Sequence, residues 1–245
     1  MTTVHVPNPL VSSVSAFFPC YNDALSIGKM VRDVRESLVE AVSDFEIIVV
    51  NDGSSDNSLQ VLQELQKEIG ELRIVNHEVN RGYGGALLSG FAASTKQWVF
   101  YTDGDAQYDA REITRLISAV TESSDVIQGF KIGRGDPLHR RVIGRVYHHG
   151  VRFLFRLPVR DTDCDFRLIR NAVVNKVRLR STTGVICVEM MHALNRVDAH
   201  FIEVGVSHYH RPHGKSQFFR VPAISRSALQ ILQLWTRLML RRSYD

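Results

Sequence analysis

The first half of the chain alternates short apolar segments with longer amphipathic ones, and this alternation limits the possible folds more than any other feature. Val14–Phe18 and Phe45–Val50 are apolar runs of strand length, whereas Ile27, Met30 and Val34 recur at helical spacing. Further strands are predicted at Leu72–Val75, Gln97–Thr102, Asp125–Gly129 and Phe201–Val206, and further helices at Leu59–Ile69, Gly82–Ala93, Ile113–Val120 and Val185–Leu194. Strands that alternate with helices form a mostly parallel sheet with helices on both faces. The sequence therefore predicts an α/β fold.

Polar residues directly follow several of the predicted strands. Asn22 and Asp23 follow the first strand, Asp52 follows the second, and Asp103 and Asp105 follow the fourth. Ligands of such sheets bind beyond the carboxyl ends of the strands, so we expect these side chains to converge on one rim. Convergence would distinguish a binding site from scattered acidic residues.

The run Asp103-Gly104-Asp105 carries two carboxylates one residue apart, and the side-chain amide of Gln107 follows two residues later. Mg²⁺ and Mn²⁺ prefer oxygen ligands and keep coordination positions for substrate phosphates. One interpretation of the pattern is therefore a divalent cation at the end of the fourth strand. The other is a solvated turn, because Asp is a common turn residue.

Composition predicts one globular domain with room for an appendage, since 44% of the 245 residues are hydrophobic and 23% are charged. The formal net charge of +4 is unevenly spread: from Lys131 to Arg160 there are eight Lys or Arg residues and a single acid, Asp136. Such a segment suits a solvated face, phosphates, nucleic acid or an anionic membrane. The three cysteines are scattered, and the sequence shows neither a secretory signal nor a run of about 18 apolar residues. These features predict a cytoplasmic location, or one on the cytosolic face of a membrane.

Residues 217–245 are predicted to form a basic amphipathic helix that follows a domain of residues 1–216. Apolar residues that include Ile231, Trp235 and Leu238 fall on one helical stripe, and arginines flank it. The stripe either packs on its own domain or lies in a membrane interface, where basic borders and Trp are favourable. The segment Arg140–Arg160 has the same mixed character, so contact with a membrane surface is one prediction.

Several motifs follow one another in the order typical of family 2 glycosyltransferases, and the chain resembles that family from about Ser13 to Ser216. They are Phe18-Pro19-Cys20-Tyr21-Asn22-Asp23, Val49–Asp56, Asn80-Arg81-Gly82, Asp103-Gly104-Asp105, Asp165–Leu168 and Arg211–Ser216. The last two resemble the branch of dolichol- and polyprenyl-phosphate sugar synthases. The resemblance implies a GT-A (Rossmann-like) fold. It also implies inverting, metal-dependent transfer of one hexose from a nucleoside-diphosphate sugar to a polyprenyl phosphate.

The resemblance further implies that Pro19, Tyr21 and Asp52 line the base pocket, where a carboxylate can accept the imide N–H of uracil or guanine. Asp23 stands where relatives often carry Glu and belongs to the same nucleotide site. Gly82 opens a glycine-rich helix start at which a phosphate or ribose can approach the backbone. The alternatives are that Pro19 and Tyr21 form a strand-end turn, that Asp52 caps a helix, and that the glycines allow tight packing of the helix.

By the same resemblance, Asp103 approaches the ribose or the metal, and Asp105 and Gln107 help to hold the Mg²⁺ or Mn²⁺ at the two phosphates. The leaving nucleoside diphosphate gains negative charge as the sugar bond breaks, so positive charge is needed here. Further phosphate contacts are assigned to a loop with Arg211, Lys215 and Ser216. A basic surface loop without a ligand is the alternative.

Asp165 is the candidate catalytic carboxylate near the acceptor. A sugar hydroxyl needs a general base near neutral pH, whereas a lipid phosphate arrives mostly ionised and needs less help. Relatives often show Ser-Gly-Phe-Arg at this point, so Asp161 and Asp163 are alternatives for the role. An ion pair of Asp165 with Arg167 or Arg170 is the structural alternative.

The predicted partners are a UDP- or GDP-linked sugar and a polyprenyl phosphate, with no nucleic acid, because no nucleic-acid-binding motif occurs. Two other functions stay open. One is a family 2 enzyme that acts on a soluble saccharide or metabolite, and the other is a catalytically silent subunit that binds nucleotide sugar. The sequence also leaves open the donor base and whether the chain forms a homo-oligomer.

Overall fold

The structure, a computed structural model, describes residues 8–132, 148–210 and 221–240, with side chains of the last segment described from residue 227. Within these residues, seven strands form one mixed sheet in the order β3-β2-β1-β4-β6-β5-β7. The strands are β1 Ser13–Cys20, β2 Asp44–Asp52, β3 Leu72–His77, β4 Trp98–Thr102, β5 Val126–Ile132, β6 Phe166–Arg170 and β7 Phe201–Ser207. Neighbouring strands are parallel except where β6 runs antiparallel to β4 and β5. The predicted α/β fold with a mostly parallel sheet is confirmed.

Helices follow most of the strands, as the alternation predicts. They are α1 Ile27–Ala41, α2 Ser58–Glu68, α3 Gly82–Ala93, a 3₁₀ turn Ala110–Glu112 that leads into α4 Ile113–Ser118, α5 at residues 148–155, α6 Asn171–Val174, α7 Ile186–Arg196, and α8 Val221–Trp235, which continues as a π-helical segment Thr236–Leu240. β6 was not predicted from the sequence. Two of its five residues, Arg167 and Arg170, are charged, so the segment lacks the continuous apolar run that identified the other strands.

The sheet separates two apolar cores, because successive side chains of a strand point to opposite faces. On β1, Val14, Ala16 and Phe18 belong to the core under α1, α2 and α4, whereas Phe17 belongs to the core under α3 and α7. Each face is therefore closed by helices. The carboxyl-terminal ends of β1, β2 and β4 are held at a common edge by their parallel pairing.

The C-terminal helix packs on the second of these cores. Ile231, Leu234 and Leu238 are buried there, whereas Leu229 and Leu232 are more than half exposed on the opposite side. The sequence predicted that this apolar stripe either packs on its own domain or lies in a membrane interface. The buried face of the helix packs on its own domain. The predicted boundary at residues 216 and 217 lies outside the described residues. Across the described segments, no helix is both long enough and apolar enough to cross a bilayer.

Candidate active site

Three loops that follow β1, β2 and β4 are joined by hydrogen bonds at the rim of the sheet. Asn22 adopts a left-handed backbone conformation with φ of 58°, and its side-chain oxygen accepts a hydrogen bond of 2.8 Å from the backbone N–H of Ser55. Ser26 donates its hydroxyl to the carbonyl of Gly104 at 2.8 Å. A Cβ at Gly104 would lie 2.9 Å from the carbonyl oxygen of Pro19, so only glycine allows this approach without a shift. The polar strand ends therefore meet at one rim, as expected from the sequence.

The acidic residues of this rim influence one another strongly. Thr102 pairs with Phe166 in the antiparallel ladder, which brings Asp103 beside Asp165 at the edge of the sheet. Desolvation, together with the negative charges of Asp165 and Asp105, raises the pKa of the Asp103 carboxyl well above its ordinary value, although a hydrogen bond of 2.8 Å from the hydroxyl of Tyr83 opposes the shift. Negative charges this close to the Asp103 carboxyl favour a bound cation, because a positive charge relieves their repulsion.

The donor set of the rim suits a hard divalent cation that takes further ligands from a substrate. Within residues 8–132, 148–210 and 221–240, no three His, Cys, Asp or Glu side chains already form a metal-binding group. Asp105 accepts the backbone N–H of Gln107 at 3.0 Å, and the side-chain nitrogen of Gln107 donates to the carbonyl of Tyr209 at 3.4 Å. The amide oxygen of Gln107 is thus the atom that could ligate a cation with Asp103 and Asp105. Substrate phosphates would complete such a shell.

Asp165 forms an ion pair with Arg167, one of the two arginines that the sequence offered as a structural partner for this carboxylate. The guanidinium donates to Oδ1 of Asp165 at 2.6 Å, and the thiol of Cys187 approaches the same oxygen at 3.1 Å. Arg167 is fully buried and also donates to the side-chain oxygen of Gln128 at 2.6 Å. Arg170 contacts Asp125 instead. The candidate catalytic carboxylate is therefore held rigidly by buried neighbours.

The two alternatives to Asp165 have different surroundings. Asp161 accepts the backbone N–H of Asp163 at 3.1 Å and that of Lys131 at 3.3 Å, so its carboxylate holds the loop before β6. Burial, only partly offset by the charge of Lys131, raises the pKa of the Asp163 carboxyl to about 6. Neither observation assigns the catalytic role to these residues.

Asp52 is buried at the end of β2 and does not cap α2, the helix that follows this strand. Its Oδ1 lies 2.6 Å from Nδ1 of His77 and accepts the backbone N–H of Arg81 at 2.8 Å. The following helix, α2, begins only at Ser58. The helix-cap alternative for Asp52 is therefore wrong. Tyr21, in contrast, is 43% exposed at the rim, in a position to meet a ligand.

Backbone from the loop before α7 fills the space beside the first glycines of α3. A Cβ at Gly84 would lie 2.2 Å from the carbonyl oxygen of Ser181, and one at Gly82 would lie 2.6 Å from that of Thr182. The backbone N–H of Gly84 donates to Thr182 at 3.0 Å, and that of Gly82 donates to the side chain of Asn80 at 3.0 Å. Tight packing is therefore what these glycines provide in the described part of the chain.

The proposed phosphate contacts Arg211, Lys215 and Ser216 lie outside the described residues. The chain just before them is placed at the acidic rim, because the backbone N–H of Tyr209 donates to the carbonyl of Gln107 at 2.8 Å. Tyr108 and His208 pair beside it as an isolated β-bridge. Residues His208 and Tyr209 therefore lie beside the loop that carries the two carboxylates.

The sequence did not single out four residues that hold the site together, namely His77, Tyr83, Ser89 and Cys187. Each acts through a partner that is distant in the sequence, so no local spacing reveals it. The tyrosine inside the glycine-rich helix start was the one available signal, since a large polar side chain among glycines needs a hydrogen-bond partner when it is buried.

A sequence profile for glycosyl transferase family 2 matches residues 15–178, about two thirds of the chain. The chain belongs to glycosyl transferase family 2. A curated relative in this family, the undecaprenyl-phosphate 4-deoxy-4-formamido-L-arabinose transferase of Pseudomonas aeruginosa (strain LESB58), is 30% identical over 229 residues, which are 91% of this chain and 63% of that protein. The transferase of the same name from Edwardsiella ictaluri (strain 93-146) is 28% identical over 210 residues, with coverage of 85% and 63%. The chain thus spans a little under two thirds of the length of these relatives.

Solved structures also resemble the chain in fold. Glucosyl-3-phosphoglycerate synthase from Mycobacterium tuberculosis, in complex with phosphoglyceric acid, superposes with a TM-score of 0.70 at 18% identity, covering 91% of this chain and 80% of that one. The same enzyme in complex with Mn²⁺, UDP and glucosyl-3-phosphoglycerate gives a TM-score of 0.68 at 19% identity, with the same coverage. The GT-A fold expected from the sequence is confirmed.

Proposed function

We propose that this family 2 protein transfers one sugar from a nucleoside-diphosphate sugar to a polyprenyl phosphate with the help of Mg²⁺ or Mn²⁺. The observation that carries the proposal is the acidic rim, where Asp103, Asp105 and Asp165 come together beside the exposed Tyr21. The relatives named above support the acceptor, since they are undecaprenyl-phosphate sugar transferases. The Mn²⁺ and UDP in structures of the same fold support the donor and the cation.

In the proposed reaction, Asp103, Asp105 and the amide oxygen of Gln107 would hold a Mg²⁺ or Mn²⁺ ion. When bound, such an ion would supply positive charge against the negative charge that develops on the leaving diphosphate. An oxygen of the acceptor phosphate attacks the anomeric carbon from the face opposite the diphosphate, and the bond from that carbon to the diphosphate oxygen breaks. The configuration at the anomeric carbon is thereby inverted, and the nucleoside diphosphate leaves.

Asp165 is the proposed acceptor-side carboxylate, and its surroundings suit orientation more than proton removal. Its Oδ1 is already engaged by the buried guanidinium of Arg167 at 2.6 Å. A phosphate monoester has a second pKa of roughly 6, so it is largely ionised at neutral pH and needs no strong base. We infer that Asp165 and Arg167 fix the acceptor end of the site.

A basic, apolar hollow between α5 and the C-terminal helix is the proposed point of contact with a membrane surface. Its volume is about 670 Å³, and its lining consists of His149, Arg152, Phe153, Leu154, Arg156, Leu157, Trp235 and Met239. None of the described residues that line it is acidic, and Phe153 at its edge is 84% exposed. Arginines beside exposed aromatic and aliphatic groups suit anionic headgroups above an acyl layer. The proposed location is the cytosolic face of a membrane.

Incubation with labelled UDP- and GDP-sugars, undecaprenyl phosphate and Mn²⁺ tests the proposal. We expect a labelled product that partitions into organic solvent with at least one donor, and its loss in Asp105→Asn. The variant Asp109→Asn is the matched control, because Asp109 lies in the same loop but pairs with Arg111 on the surface. The absence of organic-phase product with every donor would refute the acceptor assignment.

A soluble phosphorylated acceptor is the second candidate, because glucosyl-3-phosphoglycerate synthase shares the fold and was solved with phosphoglyceric acid. Flotation with vesicles that contain anionic lipid separates the two candidates. The polyprenyl-phosphate proposal predicts that the protein floats with the vesicles and that Phe153→Ser together with Arg152→Gln weakens this binding. The soluble acceptor predicts no flotation by either protein.

A further inference from the structure

A buried chain of hydrogen bonds runs behind Asp52, and the proposed function does not use it. Oδ1 of Asp52 lies 2.6 Å from Nδ1 of His77, and Nε2 of the same ring lies 2.9 Å from the hydroxyl of Ser89. Asp52 and His77 are only 3% and 4% exposed. A carboxylate and an imidazole are seldom buried without partners, because each loses its hydration. These three residues satisfy one another.

The fold places these residues together. Asp52 and His77 are register partners at the ends of the parallel strands β2 and β3. Ser89 lies on α3, which packs across these strands on the second core. Because an ionised carboxylate only accepts hydrogen bonds, the proton on this side of the ring sits on Nδ1 of His77. In the neutral ring, Nε2 then accepts the hydroxyl proton of Ser89.

The same geometry leaves one carboxylate oxygen of Asp52 for a ligand. Oδ1 receives two donors, Nδ1–H of His77 and the backbone N–H of Arg81 at 2.8 Å. An oxygen with two lone pairs is then fully used. No described residue donates to Oδ2 in the hydrogen bonds of residues 8–132, 148–210 and 221–240. Oδ2 is therefore the carboxylate oxygen of Asp52 that is available to accept an N–H of a ligand.

We propose that His77 and Ser89 are positioning residues that hold the Asp52 carboxylate so that Oδ2 alone reads the donor base. The proposal rests on the proposed function, which requires a nucleoside-diphosphate-sugar donor, and on the expectation from the sequence that Asp52 lies in the base pocket. A single acceptor matches uracil, whose imide offers one N–H. Guanine offers two adjacent donors, N1–H and the amino group, and pairs best with both oxygens of a carboxylate. Cytosine offers an acceptor at N3, which the carboxylate repels. The hydrogen-bonded chain Asp52–His77–Ser89, here called the relay, thus selects a uridine donor.

Calorimetric titration in Mn²⁺ with UDP, N3-methyl-UDP, GDP and CDP tests the relay. The wild type is expected to bind UDP at least about tenfold more tightly than each of the others, as expected for a lost hydrogen bond to a charged group. His77→Phe keeps a ring of similar size but removes both nitrogens, and it should weaken UDP binding about tenfold while reducing the penalty for the N3-methyl group. Ser89→Ala should change both quantities in the same direction by a smaller factor.

The conservative variant His77→Asn restores a donor near the position of Nδ1 and should recover much of the preference for UDP over N3-methyl-UDP. A merely structural tie between β2, β3 and α3 predicts that all nucleotides are weakened equally. The matched control is His192→Phe, a buried histidine of α7 that contacts the carbonyl of Phe155 and should leave the preference unchanged. Circular dichroism tests whether each variant is folded. If His77→Phe is unfolded, the effect of Ser89→Ala on the preference for UDP over N3-methyl-UDP tests the proposal instead.

Asp52→Asn separates failure of the relay from failure of the base-pocket assignment. If Asp52→Asn leaves UDP affinity and the N3-methyl penalty intact, Asp52 does not read the base and the assignment on which the relay rests is wrong. If Asp52→Asn abolishes the preference while His77→Phe and Ser89→Ala both preserve it, the assignment stands and the relay is refuted. Loss of the preference in all three variants supports the relay.

Discussion

Replacement of Arg237 by Gln should destabilise the protein far more than an equivalent change in a surface ion pair. Nη2 of Arg237, in the π-helical end of the C-terminal helix, lies 2.5 Å from Oε1 of Glu189 on α7. Glu189 is only 3% exposed, and its other oxygen accepts the backbone N–H groups of Arg180 and Ser181 at 3.2 and 2.8 Å. Without Arg237, a buried carboxylate loses its only charged partner among these contacts.

The expected loss can be estimated from these contacts. Removal of one partner from a buried ion pair costs about 3–5 kcal/mol. Glu189 keeps two N–H donors, and the Arg237 side chain is 31% exposed and partly screened by solvent, so we expect about 2 kcal/mol. For a chain of this length, that loss lowers Tm by about 4–8 °C.

Urea denaturation followed by circular dichroism measures the free energy of unfolding of each variant. Arg32→Gln is the matched control, because Arg32 pairs with Glu68 at 2.8 Å while both side chains are more than half exposed. Such a pair contributes less than about 1 kcal/mol. If Arg237→Gln costs no more than Arg32→Gln, the C-terminal helix is not held on the domain by this contact.

Two further predictions concern stability. Asp163→Asn should stabilise the protein by about 1–2 kcal/mol at pH 8 and by less at pH 4.5. In the folded state the carboxyl pKa is raised from 3.8 to about 6, so the stability that the protonated acid contributes is lost as pH rises through 6. Denaturation at both pH values measures the gain in stability, and a gain that is independent of pH contradicts the prediction. Gly84→Ala should destabilise by about 1–3 kcal/mol, since its Cβ would lie 2.2 Å from the carbonyl oxygen of Ser181, whereas the control Gly70→Ala meets nothing within 4 Å. Equal losses in the two glycine variants, measured by thermal unfolding, would show that the space beside Gly84 is not confined.

The sequence predicts what local periodicity encodes and misses what long-range contacts decide. The apolar run at Phe45–Val50 and the helical spacing from Ile27 to Leu38 were sufficient to predict β2 and α1. β6 was missed because its short run, Phe166–Arg170, becomes a strand only by pairing with β4 and β5.

The candidate site shows the same division. The residue types and their order predicted that Asp52, Asp103 and Asp105 lie at strand ends on one rim of the sheet. The ion pair of Asp165 with Arg167 was one of the alternatives that the sequence left open, whereas the contact of Asp52 with His77 depends on strand register, which a single sequence does not give. The packing of Gly84 against Thr182 likewise depends on a loop about a hundred residues further along the chain.

The central claim is that the acidic rim is a site for a cation and a diphosphate. Calorimetric titration tests it most directly, with UDP added to the wild type and to Asp105→Asn in the presence of Mn²⁺ or of EDTA. The account predicts that the wild type binds UDP at least about tenfold more tightly with Mn²⁺ than with EDTA, and that Asp105→Asn loses this difference because one charged ligand of the cation is gone. UDP affinity that is equal with Mn²⁺ and with EDTA, or unchanged by Asp105→Asn, would contradict the account.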